Sequence, residues 1–206
     1  MKRFVLSAYT LLLGGCHLLS SPHDISKTNF DFGIPPDPHV QTSVKPLPAN
    51  IIVTNVVAPG WMDNASMYYR LMYRNAANPL PYASSQWVMS PAALLTQRLR
   101  WTLGAGSESE SGNGLSSAPS YLLRSELIEF EQIFDQPNSS HGVLQLRATL
   151  EEQHGGRRVQ RTFTIEKRAS TADANGGAKA LSLCADELSA AVAGWAAEEL
   201  GGRSAR

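Results

Sequence analysis

An excess of either charge is missing from this sequence: 18 Lys and Arg balance 18 Asp and Glu across 206 residues. A balanced chain has no surface built to track phosphates, so nucleic acid is not an expected partner. Cysteine is scarce, with two residues, which excludes a disulfide scaffold. Long hydrophobic runs are missing too. The longest lies near the N-terminus and is too short to cross a bilayer as a helix. Catalytic signatures are absent: the sequence holds no H-E-x-x-H, C-x-x-C, G-x-x-x-x-G-K-[ST] or G-x-S-x-G. What remains is a chain that is 43% apolar, enough for an ordinary globular core in one domain or at most two.

The N-terminus reads as a targeting segment. Lys2 and Arg3 precede an apolar stretch from Phe4 to Leu13, the length of a signal-peptide core. It runs into Leu13-Gly14-Gly15-Cys16, a lipobox. A diacylglycerol joins the cysteine thiol, and a peptidase then cuts before Cys16, the two small residues letting the backbone enter its active site. Residues 1–15 are therefore the expected signal peptide and Cys16 the expected lipidation site. One acyl chain binds a membrane marginally, whereas two or three hold it firmly. His17 follows the cysteine where aspartate is the usual inner-membrane retention signal, which points to the outer membrane. With Cys16 carrying lipid, Cys184 is the only free thiol.

Residues 16–50 hold six prolines and few apolar clusters, and read mostly as an extended tether, part of which could dock on the domain. The folded domain is expected over 51–202. Ile51–Val57, Met67–Tyr73 and a short piece at Tyr82-Ala83 read as strands. Ser90-Pro91 opens a helix that Gly104 ends. Ser107–Ser120 is a Ser/Gly-rich connection. Tyr121–Phe134, Gly142–Glu152 and Arg158–Arg168 read as strands, the second alternating leucines with polar residues. A helix from about Gly177 to Leu200 carries an apolar stripe ending in Trp195. The expected class is α+β: a mixed, mainly antiparallel sheet with two amphipathic helices packed on one face.

Few side chains suggest chemistry. His17, His23 and His39 fall in the tether, and His141 and His154 in turns without a second ligand at metal spacing. The short Gly104–Gly106 and Gly112–Gly114 patterns lack the strand-then-helix context of a phosphate cradle. Cys184 reads as a small buried hydrophobe. Glu126, Glu129 and Glu131 resemble a paired-acid site, but a solvated strand face accounts for them better. Trp61 and Trp87 fall outside the expected regular elements and are candidate partner-contact residues, with core packing as the alternative for each. Neither a catalytic residue, a metal nor a cofactor is expected.

Several segments together carry a resemblance: the lipobox at Cys16, Val57–Trp61, Met67–Arg70, Tyr82–Trp87, Ser90–Leu95, Glu129–Phe134 and the helix ending in Gly194-Trp195. In order and spacing the chain resembles the ABC-type transport auxiliary lipoproteins, associated with MCE-type lipid transport in the bacterial envelope. Gln86 stands where arginine is expected before the tryptophan. The resemblance implies a non-enzymatic accessory lipoprotein of the outer membrane, facing the periplasm, that supports movement of phospholipid or other hydrophobic cargo. It implies an MCE-domain periplasmic protein and its ABC permease/ATPase complex as partners, the membrane as anchor, and leaves a homo-oligomer open. The alternatives are a structural envelope lipoprotein without a transport role and a hydrolase with an unrecognised site.

Overall fold

The computed structural model describes residues 26–36, 50–104, 120–153 and 156–201. Cys16, the first three histidines and most of the Ser/Gly-rich connection lie outside them. The described strands are β1 (Thr28–Phe30), β2 (Asn50–Val53), β3 (Ser66–Leu71), β4 (Pro79–Trp87), β5 (Ser120–Gln136), β6 (Ser139–Glu152) and β7 (Arg158–Arg168). Two helices, α1 (Pro91–Leu103) and α2 (Ala174–Gly201), complete the α+β fold expected from the sequence.

The long strand β5 organises the sheet. Along one edge it pairs antiparallel with β6, which pairs antiparallel with β7. Its other edge is shared end to end. β2 runs parallel to residues 120–123, and β3 runs parallel to residues 132–134. β4 and then β1 extend the sheet beyond β3, giving the order β1-β4-β3-β5-β6-β7 with β2 off the path.

Both helices sit on one face: α2 lies across β5, β6 and β7, while α1 packs on α2 and β2. The α2 stripe is buried as its spacing requires, through Leu181, Ala185, Leu188 and Val192 to Trp195, whose ring meets Phe163 edge-on at 5.8 Å. α1 has the expected caps. Ser90 Oγ accepts from the Ala93 N–H, Pro91 takes the first helical position, and Gly104 closes the helix at φ +57°, where a side chain would be strained.

Four expectations change. The folded domain does not begin at Ile51: β1 lies inside the expected tether, pairs parallel with Ser85–Trp87, and sends Phe32 into the core. The short third strand is a nine-residue strand, because β1 covers only its C-terminal end and Pro79 and Pro81 run along an edge, where sheets tolerate proline. The first strand stops at Val53, although the chain stays beside β5 through bonds from Thr54 N–H to Leu123 O and Val57 N–H to Ser125 O. Finally, α2 starts before its glycines. Asp173 Oδ1 accepts the Gly176 N–H as an N-cap. A Cβ on Gly177 would fall 1.9 Å from Gln132 Oε1, so this glycine serves close packing rather than helix breaking.

Candidate functional site

Of the candidate residues, Cys16 lies outside the described residues, and the two tryptophans part company. Trp87 ends β4 with 1% of its surface exposed, ringed by Phe30, Phe32 and Phe130 at 5.3–6.4 Å. The candidate contact role of Trp87 is therefore corrected: it is a core residue, the alternative expected for it, because β1 and the turn after it cover it. Trp61 stays at the surface, 45% exposed. The turn that presents it is well bonded. Met62 N–H donates to Pro59 O, and the Trp61 carbonyl accepts from Asn64 Nδ2 and the Tyr68 hydroxyl at 2.7 and 3.1 Å. The ring stacks edge-on against Tyr68 at 5.3 Å.

Beside Trp61, on the sheet face without helices, lies a cleft of about 320 Å³ lined by Met62, Arg70, Met72, Glu129 and Glu131 among others. Two register features build it. Parallel pairing sets Arg70 opposite Ile133, two residues along β5 from Glu131 and on the same face. An irregularity between Leu127 and Glu129 inserts a residue into β5 and shifts the side-chain phase. That shift brings Glu129 and Glu131 to the face that Glu126 already occupies. Arg70 then grips Glu131 Oε1 with Nε at 2.9 Å and Nη2 at 2.7 Å, and its Nη1 donates to Ala76 O. Glu131 Oε2 is buried with no hydrogen-bond partner. Burial first, and then the charge of Glu131, hold the Glu129 carboxyl above the ordinary carboxylate range, while Arg70 pulls it down.

The three glutamates are thus not one solvated face. Glu126 is exposed and paired with Arg147 at 2.7 Å, but Glu131 is almost fully buried. The missing signal was Arg70, 61 residues away in sequence.

The remaining candidates are structural. Burial pushes the Cys184 thiol up to about 12, and Sγ donates weakly to Gly142 O at 3.5 Å, so this cysteine packs rather than reacts. His141 meets Asp135 at 3.0 Å at the β5–β6 turn. Among the described residues no group of three or more His, Cys, Asp and Glu is placed to hold a metal. Gln86 donates to Asn29 Oδ1 at 2.9 Å and so ties β4 to β1. A second groove beside α1, of about 480 Å³, is lined by Asn55, Asp63 and Gln97 among others, and polar groups along it bond to the chain itself. There Thr96 Oγ1 accepts the Val56 N–H, and Arg100 donates to Val53 O.

The described residues thus present an exposed aromatic beside a polar cleft on the open face of the sheet. The chain belongs to the ABC-type transport auxiliary lipoprotein family, whose model, described as the ABC-type transport auxiliary lipoprotein component, matches residues 32–193. Membership makes it an auxiliary component of ABC transport and a membrane-anchored lipoprotein of the periplasm. Two solved structures share the fold. Protein XCC0632 from Xanthomonas campestris, of family DUF330, superposes with a TM-score of 0.67 at 16% identity, covering 87% of this chain and 98% of that one. A second crystal structure, of an uncharacterised protein, gives 0.60 at 15% identity, covering 82% and 98%. No curated protein matches. No helix among the described residues is long and apolar enough to cross a membrane.

Proposed function

We propose that this protein is held on the periplasmic face of the outer membrane by lipid on Cys16 and serves an ABC system whose periplasmic component is an MCE-domain protein. In that role it receives or docks the MCE component while phospholipid or other hydrophobic cargo moves across the envelope. The lipobox and His17 support the anchor and its membrane. The observation that carries the docking role is Trp61. It is a large aromatic side chain held rigidly on a bonded turn, half exposed, beside a cleft on the sheet face that the helices leave open. Tryptophan is the side chain most enriched at binding hot spots, and a pre-organised one loses little freedom on docking.

The test is purification of the tagged, full-length protein from its own membranes. An MCE-domain protein and the permease/ATPase should copurify, and Cys16→Ser should abolish both outer-membrane fractionation and capture of the membrane complex. Wild-type fractionation of Cys16→Ser would remove the anchor. Recovery of the lipidated protein without any MCE component would leave the structural envelope role in its place.

A further inference from the structure

The segment after β1, Asp31–Pro36, crosses the junction of α1 and α2 and is pinned at four points. Ser182 Oγ donates to Asp31 O at 3.3 Å. Arg98 Nη2 donates to Phe32 O at 2.8 Å and to Gly33 O at 3.0 Å, while Nη1 pairs with Asp186 on α2. Trp101 Nε1 donates to Pro36 O at 3.4 Å. Gly33 turns the strap at φ +67°, a conformation that favours glycine, and Asp31 Oδ1 accepts its N–H. Phe32 points inward against Trp87 and Phe130.

The strap and the two helices bonded to it each carry one large exposed apolar side chain: Trp101 bonds the strap directly, and Leu183 follows Ser182, which also bonds it. Ile34 of the strap is 94% exposed, Trp101 of α1 53% and Leu183 of α2 47%. A single exposed leucine needs no explanation, but three such side chains on one strap and the two helices it is bonded to call for one.

The length of chain between this strap and the anchor says what the patch meets. The sequence alone suggested a tether of more than thirty residues, reaching several nanometres at roughly 3 Å per residue. Because β1 is part of the sheet, only residues 17–27 separate Cys16 from Thr28. At roughly 3.5 Å per residue those reach about 40 Å fully extended, close to the diameter of a domain of this size. The domain therefore hangs by its β1 end, and Ile34 lies six residues beyond Thr28. Tryptophan beside aliphatic side chains favours the headgroup boundary of a bilayer. Lys179, one turn before Leu183, is exposed, as is Lys27 just before β1; on the strap, Asp31 turns its Oδ1 to the Gly33 N–H. Asp186 is neutralised by Arg98, and Glu187 by Lys167.

We propose that Ile34, Trp101 and Leu183 form a lipid-facing surface that lies against the bilayer carrying the anchor, so that the domain rests on the membrane with its helix layer toward lipid. This rests on lipidation of Cys16 and goes beyond it. It leaves the Trp61 cleft, on the opposite face of the sheet, turned toward the periplasm.

The test uses the full-length protein purified from membranes and reconstituted in phosphatidylethanolamine/phosphatidylglycerol vesicles, with or without bromine on the acyl chains. Intact mass reports the lipid on Cys16, and tryptophan emission reports depth. Bromine should quench the wild type and Trp61→Phe alike. Trp101→Phe should lose at least two-thirds of that lipid-dependent quenching. Leu183→Asp should reduce it about twofold with the fold intact by circular dichroism. Lipidated protein whose quenching is absent, or unchanged in Trp101→Phe, overturns the surface and leaves the anchor standing. An unmodified Cys16 overturns the anchor and this surface with it.

Discussion

The two faces of β5 are made by the same strand and do opposite work. On the covered face, Leu123, Leu127 and Phe130 are sealed beneath the helices with Leu144 and Leu146 of β6. On the other face, Glu126, Glu129 and Glu131 meet Arg147 and Arg70. An apolar face gains roughly 25 cal/mol for each Å² removed from water, and that gain holds the layers together. On the open face the exposed Glu126–Arg147 pair contributes only about 0–1 kcal/mol, and the buried Arg70–Glu131 pair offsets its own desolvation more than it adds net stability. The lesson is a division of labour: the covered face sets stability, and the open face is free to carry a binding surface. Substitutions on the two faces should therefore separate by what they disturb.

The largest expected effect is on the covered face. Trp195→Ala removes a buried ring that packs on Phe163. Such truncations cost about 3–5 kcal/mol, which lowers the melting temperature by on the order of 10 °C in a domain of this size. An unchanged thermal unfolding curve would mean that α2 packs with a different face inward.

Gly177→Ala comes next. The added methyl would meet the Gln132 carbonyl, which accepts the Tyr82 hydroxyl at 2.9 Å while its Nε2 donates to Ser140 Oγ at 2.8 Å. Overpacking that also breaks a buried polar chain should cost about 1–3 kcal/mol. Chemical denaturation measures it. A neutral or stabilising result would show that α2 can lift from the sheet without loss.

The smallest effect belongs to the open face. The folded state raises the Glu129 carboxyl above its ordinary value, so the native protein binds that proton more tightly than the unfolded chain. The favourable contribution is therefore present below the unfolded pKa and is lost as pH rises through the folded one. Glu129→Gln should flatten the stability profile in that window, just above the ordinary carboxylate range, and leave it unchanged or slightly raised at neutral pH. A profile as steep as the wild type's in urea titrations across pH would place the linkage elsewhere.

The comparison also explains what could be read from the sequence. Local signals were legible. The Ser90-Pro91 cap, the alternation in β6 and the apolar stripe of α2 each act within a few residues of themselves, and each appears where expected. The covered face follows from such periodicity. The open-face cleft does not, because Arg70 and Glu131 meet only through a parallel strand pairing and after a one-residue irregularity. β1 was hidden for a similar reason. Three residues in a proline-rich stretch carry no period of their own, and their partner, the end of β4, lies 57 residues on. Trp87 then moved from candidate contact to core as a consequence of β1, whereas Trp61, on a turn with its own local bonds, stayed at the surface.

The most direct test of this division is a titration of the proposed MCE-domain partner against Trp61→Ala, run beside thermal unfolding of the same preparations. Truncating an exposed hot-spot aromatic should weaken binding by at least about 2 kcal/mol, roughly thirtyfold in Kd, while the melting temperature stays near the wild type's. Trp87→Ala, on the covered face, should instead lower stability first and affinity only as the fold is lost. Unchanged affinity in a folded Trp61→Ala, or a loss of affinity that merely follows unfolding, would contradict the assignment of binding to the open face.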